Sequence, residues 1–81
     1  MKLTQFIAGL EILKTHYKDG GDGYHIGAEH DIFYCYQTDT PLSPEEVKRM
    51  DELGWHQENA VVDGEWKPEN YDPEESWSAY T

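Results

Sequence analysis

Ser43-Pro44-Glu45-Glu46-Val47-Lys48-Arg49-Met50-Asp51-Glu52-Leu53-Gly54-Trp55 is the stretch on which the fold turns. Ser43 can cap a helix, Pro44 suits the first helical position, and Glu46 stands three residues after Ser43, as a capping box requires. Val47, Met50 and Leu53 recur at helical spacing and give one buried stripe, and Gly54 is placed to stop the helix. This predicts a short helix of about three turns. What flanks it sets the class.

Upstream, Tyr24-His25-Ile26 and Asp31-Ile32-Phe33-Tyr34-Cys35-Tyr36 are rich in aromatic and β-branched residues. With Gly27-Ala28-Glu29-His30 as a short loop between them, they predict a β-hairpin. In its second strand Ile32, Tyr34 and Tyr36 share one face, while Phe33 and Cys35 share the other. Earlier still, Leu3, Phe6, Ile7, Leu10, Leu13 and Tyr17 follow a helical period. Thr4 is the expected N-cap of that helix, and Asp19-Gly20-Gly21-Asp22-Gly23 its terminator. Lys14 and Lys18 fall in its last turns, where cations suit the negative end of the dipole.

Downstream, Val61-Val62-Asp63-Gly64-Glu65-Trp66 predicts a second hairpin with a type I′ turn at Asp63-Gly64. Residues 68–75 hold Pro68, Pro73 and four acids, which suits a mobile acidic loop, and Ser76-Trp77-Ser78-Ala79-Tyr80 predicts a closing strand. The expected order is α-β-β-α-β-β-β: a single α+β domain over 1–81, with two helices packed on an antiparallel sheet.

Charge is distributed unevenly along this order. Residues 1–18 carry Lys2, Lys14 and Lys18 against Glu11, whereas the other sixteen carboxylates face only Lys48, Arg49 and Lys67. The net formal charge is −11. Like charges repel in the compact state, so such a field is kept at a cost that either solubility or function can explain. Eleven aromatic residues argue against disorder. A chain of 81 residues buries only roughly 60% of its unfolded surface, and with Cys35 as its one cysteine no internal disulfide reinforces it. The start, Met1-Lys2-Leu3-Thr4-Gln5-Phe6, lacks the apolar run of a signal peptide, so a cytoplasmic location is expected.

Catalytic and metal chemistry find little purchase. His25 and His30 have a formal zinc-ligand spacing, but they flank the hairpin loop and no second tight pair accompanies them, so they read as scattered histidines. Ser43 is occupied as a cap, Ser76 and Ser78 lie in the last strand, and Cys35 alternates with tyrosines as a small buried hydrophobe. The Gly20–Gly23 run follows a helix rather than opening one, and Asp19 and Asp22 would repel phosphate. No enzyme activity, metal or cofactor is expected.

Direct nucleic-acid binding needs a basic footprint, for which only Lys14 and Lys18 are available. The acidic field instead suits a basic protein that itself binds nucleic acid, because carboxylates can fill Arg and Lys sites built for phosphates. Trp55, Trp66, Tyr71, Trp77 and Tyr80 crowd the last third of the chain among seven of its acids. Trp and Tyr are enriched in interface hot spots. The expected partner surface is therefore Glu58, Asp63, Glu65, Trp66, Glu69, Tyr71, Asp72, Glu74 and Glu75. Trp55-His56-Gln57-Glu58-Asn59 and Trp66-Lys67-Pro68-Glu69-Asn70 also share the pattern W-x-x-E-N, eleven residues apart. Three matched positions fit coincidence or a small duplication.

An N-terminal helix, a short hairpin, a Ser-Pro-Glu-Glu helix ending Leu53-Gly54-Trp55 and a closing Trp77-Ser78-Ala79-Tyr80-Thr81 resemble the small acidic proteins of bacteriophage genomes. The specific part of this resemblance is Ser43 to Trp55 and the last five residues; the stretch around Trp66 resembles an insertion in that pattern. The resemblance implies an inhibitor of host defence, of the kind that includes anti-CRISPR proteins and DNA mimics, and it implies no catalytic residue. The expectation is thus a non-enzymatic acidic binding protein without membrane association. Two alternatives stand beside it: a sponge for a small ligand or nucleotide signal, and an oligomeric structural component such as a homodimer.

Overall fold

A computed structural model describes residues 1–80. The helix signalled at Ser43 forms as α2, Pro44–Glu52. Ser43 Oγ accepts from the Glu46 amide at 3.2 Å, and Glu46 Oε1 accepts from the Ser43 amide at 2.8 Å, so the capping box is closed from both sides. Gly54, at φ 91°, takes the left-handed conformation that ends the helix, a region L side chains avoid. Val47, Met50 and Leu53 are all buried.

The first helix, α1, runs Leu3–Lys14 and differs from expectation at both ends. It starts two residues earlier than a Thr4 cap implies, with Lys2 in the capping position and its amide held by Gln5 Oε1 at 2.9 Å. It also stops before Tyr17. From Thr15 onward the amides bond three residues back, and the segment is drawn off the axis by distant partners. His16 is held by Thr40 and Glu46, and the Lys18 amide by Asp39.

The hairpin forms from β1 (Ile26–Glu29) and β2 (Ile32–Cys35), antiparallel, with Glu29 opposite Ile32. The loop is thus only His30-Asp31, and Gly27 to Glu29, expected in the turn, lie in the strand. A residue with poor strand propensity is wanted there, because Gly27 lies under the Tyr34 ring and a Cβ would meet that ring at 2.5 Å. β3 (Trp77–Tyr80) pairs antiparallel with β2, giving the sheet order β1-β2-β3.

The second expected hairpin needs correction. Asp63 (φ 55°) and Gly64 (φ 84°) make the left-handed turn, but the arms are a single bridge between Val62 and Glu65 and not two strands. The observed order is therefore α-β-β-α-β, not α-β-β-α-β-β-β, within the same α+β class. Val61 and Val62 remain exposed, so no apolar face drives the arms to extend. Residues Pro68–Asn70 form a 3₁₀ turn. The two W-x-x-E-N copies adopt different structures, one bridging through His56 to Ser78 and the other entering this turn.

One core holds α1 and α2 against the sheet. Trp55 and Trp77 are each 1% exposed, and Leu13, Met50, Cys35 and Ala79 fill the space around them. Burial pushes the Cys35 thiol up to about 12, so it stays protonated and inert as a thiolate nucleophile. Phe6 stacks on Trp55 at 5.7 Å and meets Phe33 edge-on at 4.8 Å, fixing α1 across the junction of helix and sheet.

The His16–Glu46 contact ties the end of α1 to the start of α2 at 2.9 Å. Burial alone would raise the Glu46 carboxyl, but bonds from the Ser43 amide and from His16 outweigh it and hold the carboxyl below its usual range. A carboxyl depressed in the fold binds fewer protons there than in the unfolded chain. Its contribution is present above the unfolded value of about 4.3 and is lost as pH falls through the folded value. Glu46→Gln should therefore lower the melting temperature most near neutral pH, with the gap to the wild type closing below about pH 4 in paired thermal melts.

Candidate functional site: an acidic aromatic hollow

After α2, Gly54 turns the chain so that Trp55 enters the core and His56 bridges to Ser78 at the outer edge of β3, with N–H···O distances of 2.9 and 2.7 Å. His56 and Tyr80 then lie on the same side of this bridge and stack at 4.7 Å. Glu58 closes the cluster: its Oε1 accepts from the Tyr80 hydroxyl at 2.9 Å and lies 2.6 Å from His56 Nε2. The His56 bond, opposed by slight burial and aided by Tyr80, holds the Glu58 carboxyl below its usual range. The Tyr80–Glu58 bond in turn raises the Tyr80 hydroxyl above its usual range.

Across from this cluster stands the Asp63-Gly64 turn, bearing Glu65 and leading into Trp66. Between the two lies an open hollow of about 430 Å³, with Asp51, Glu58 and Glu65 as its carboxylates and His56, Trp66 and Tyr80 among its aromatic walls. Trp66 is half-buried, packs edge-on against Trp77 at 5.3 Å and donates from Nε1 to Gln57 at 3.3 Å. That bond sets its ring angle. The arrangement is suited to a cation: Glu58, held by His56 and Tyr80, and the exposed Asp51 and Glu65 supply charge, and ring faces accept the flat or alkyl part of an arginine or lysine side chain.

The support beneath the hollow is Gln57, which is fully buried. Its Oε1 accepts from the Asp72 amide at 2.9 Å and from Trp66, while its Nε2 donates to the carbonyls of Asp72 at 2.8 Å and Glu75 at 3.4 Å. One amide side chain therefore anchors residues 66, 72 and 75 together. Tyr71 adds a second anchor, stacking on Trp77 at 5.8 Å while its hydroxyl accepts from the Leu42 amide at 2.9 Å.

The nine residues expected to form one partner surface are distributed over several places. Glu58, Glu65 and Trp66 meet in the hollow. Glu69 and Tyr71 line a separate groove beside α2. Asp63, at the turn tip, shares a smaller hollow with Glu65 and Glu69. Asp72 caps the Glu74 amide at 2.9 Å and Glu75 receives the Ser76 amide at 2.8 Å, forming the turn that leads into β3. Asp51, His56 and Tyr80 belong to the hollow although the sequence reading did not place them there. They come from three different elements, and the His56–Ser78 bridge sets His56 beside Tyr80 while the turn at Gly54 keeps Asp51 close by. Glu65 is additionally paired with Lys67 at 3.3 Å, an exposed contact of little energetic weight.

Among the described residues no three His, Cys, Asp or Glu side chains converge as a metal-ligand set. No helix among them is long and apolar enough to cross a membrane. Comparison with known proteins finds no matching family, no similar curated protein and no matching solved structure.

Proposed function

We propose that this protein is a non-enzymatic, cytoplasmic binding protein that occupies the basic, nucleic-acid-binding surface of a partner protein. A phage-type inhibitor of host defence, of the kind the sequence resembles and that includes anti-CRISPR proteins and DNA mimics, would act in this way by imitating nucleic acid. The observation that carries the reading is the hollow, in which Asp51, Glu58 and Glu65 surround aromatic walls on a chain of net charge −11. Carboxylates clustered beside aromatic rings offer arginine and lysine the acceptor oxygens that a phosphate backbone offers, and the long-range field speeds their encounter. The nucleotide-sponge alternative draws less support, because the hollow offers carboxylates where a phosphate would need cations.

The test is capture from bacterial lysate on the immobilised protein, followed by elution with duplex DNA. Retained proteins should be nucleic-acid binders that DNA displaces, and their retention should weaken steeply as salt rises toward ~0.15 M. Glu58→Lys combined with Glu65→Lys, both at exposed positions of the hollow and neither lining the groove beside α2, should abolish retention, with a thermal melt checking that the fold is kept. Retention that survives both the reversals and excess DNA would overturn the reading.

A further inference from the structure

A second concavity lies on the far side of Asp51, which borders both. It is a groove of about 560 Å³ between α2 and the 3₁₀ turn, floored by Leu42, Val47, Pro44, Pro68 and Tyr71. Its rim carries Asp51, Glu52 and Glu69 against the single cation Lys48. The walls are held before anything binds. The capping box and Pro44 fix the start of α2, and the Tyr71 hydroxyl ties the 3₁₀ turn to the Leu42 amide. Neither wall must be ordered by the ligand, so binding avoids that entropic cost.

We propose that this groove docks a segment of a partner protein in which one large aliphatic or aromatic side chain is flanked by lysines or arginines. The apolar floor accepts the central side chain, and the three rim carboxylates select the flanking cations. Charge complementarity also decides against other occupants. A second copy of this chain would bring a further net charge of −11 to an acidic rim, and an anionic lipid surface would be repelled in the same way. The inference shares a basic partner with the proposed function but uses a site that meets the hollow only at Asp51, and the variants below leave Asp51 unchanged, so each can fail alone.

The experiment uses the ¹⁵N-labelled protein at ~0.15 M salt, with three capped heptapeptides as probes. The first is Lys-Lys-Ser-Leu-Ser-Lys-Lys; the second replaces its leucine by serine; the third replaces its four lysines by glutamates. The first peptide should give saturable amide shifts centred on Val47, Lys48, Glu52, Glu69 and Tyr71, and each of the others should bind at least about tenfold more weakly. Glu52→Lys combined with Glu69→Lys should weaken the first peptide about tenfold, Lys48→Glu should strengthen it, and Glu65→Lys in the hollow should leave it within about twofold. Equal binding of the serine or glutamate peptide would overturn the groove assignment, as would the absence of saturable shifts. Shifts centred on Glu58 and Trp66 instead would also overturn it while leaving the hollow, and the proposed function, in place.

Discussion

Gln57→Ala should lower the unfolding free energy by roughly 3 kcal/mol in chemical denaturation, the largest loss expected from any single polar residue here. The side chain is fully buried and both ends of its amide are occupied. Truncation leaves the Asp72 amide and the Trp66 Nε1 without an acceptor, and the Asp72 and Glu75 carbonyls without this donor. Each buried polar group stranded in this way costs about 1–3 kcal/mol, with water entering the vacated space recovering part of it. Gln57→Glu is the sharper variant. It keeps the size and the acceptor but replaces the donor with a carboxylate facing two carbonyl oxygens, so it should be at least as destabilising as alanine. Hydrogen exchange locates the damage: the Asp72 amide should lose protection first, because its bond to Gln57 Oε1 is the one removed. Loss of that anchor would also release Trp66 and blur the hollow. Unchanged stability and unchanged Asp72 protection in the alanine variant would show that the loop is held by other contacts.

Gly9→Ala should destabilise the protein by about 2 kcal/mol, against the direction helix propensity sets. On propensity alone, alanine in the middle of α1 would gain roughly 1 kcal/mol over glycine. Gly9, however, is buried against the edge of the Trp55 indole, and a Cβ there would overlap the ring, lying 2.5 Å from Cε2. Trp55 has nowhere to retreat, since it is 1% exposed, stacked on Phe6, and donates from Nε1 to the Gln5 carbonyl at 3.4 Å. Forcing a methyl into such a contact costs about 1–3 kcal/mol or more, which outweighs the propensity gain. The contact can be isolated by a double-mutant cycle. In a Trp55→Phe background, where the pyrrole edge is absent, most of the cost of Gly9→Ala should disappear. A cost of the same size in both backgrounds would place the strain in the helix backbone instead.

The site was partly legible before folding was considered. Glu58, Glu65 and Trp66 stand out as acids and an anchor aromatic in one stretch of chain, and they do meet. Trp66 and Tyr71 carry structural work as well, because their polar atoms find buried partners at Gln57 and Leu42 that a reading of interface propensity does not see. Asp51, His56 and Tyr80 join the hollow from α2, from the residue bridging to β3 and from β3 itself, and no spacing in the chain links them.

Short-range chemistry accounts for the features legible in the residues alone. Ser43 and Glu46 close a capping box within four residues, Gly54 ends the same helix, Asp63-Gly64 turns the chain, and the aromatic-rich runs at Ile32–Cys35 and Trp77–Tyr80 favour strands. The cap and the turns depend on hydrogen bonds or steric limits between near neighbours, so they survive without knowledge of the rest, whereas the strands carry a local propensity that is completed by pairing Ile32 with Tyr80. The tertiary structure decided where α1 ends, how far β1 extends and what becomes of Gln57 and Gly9. His16 is drawn to Glu46 thirty residues away, Gln57 to Asp72 fifteen away, and the Trp55 indole to the Gln5 carbonyl fifty away. A glutamine in a polar stretch carries no local mark of burial, and a glycine in an apolar helix carries none of the ring that will press on it. Their roles arise only when packing removes water from one and brings an indole to the other, and packing is a property of the whole chain.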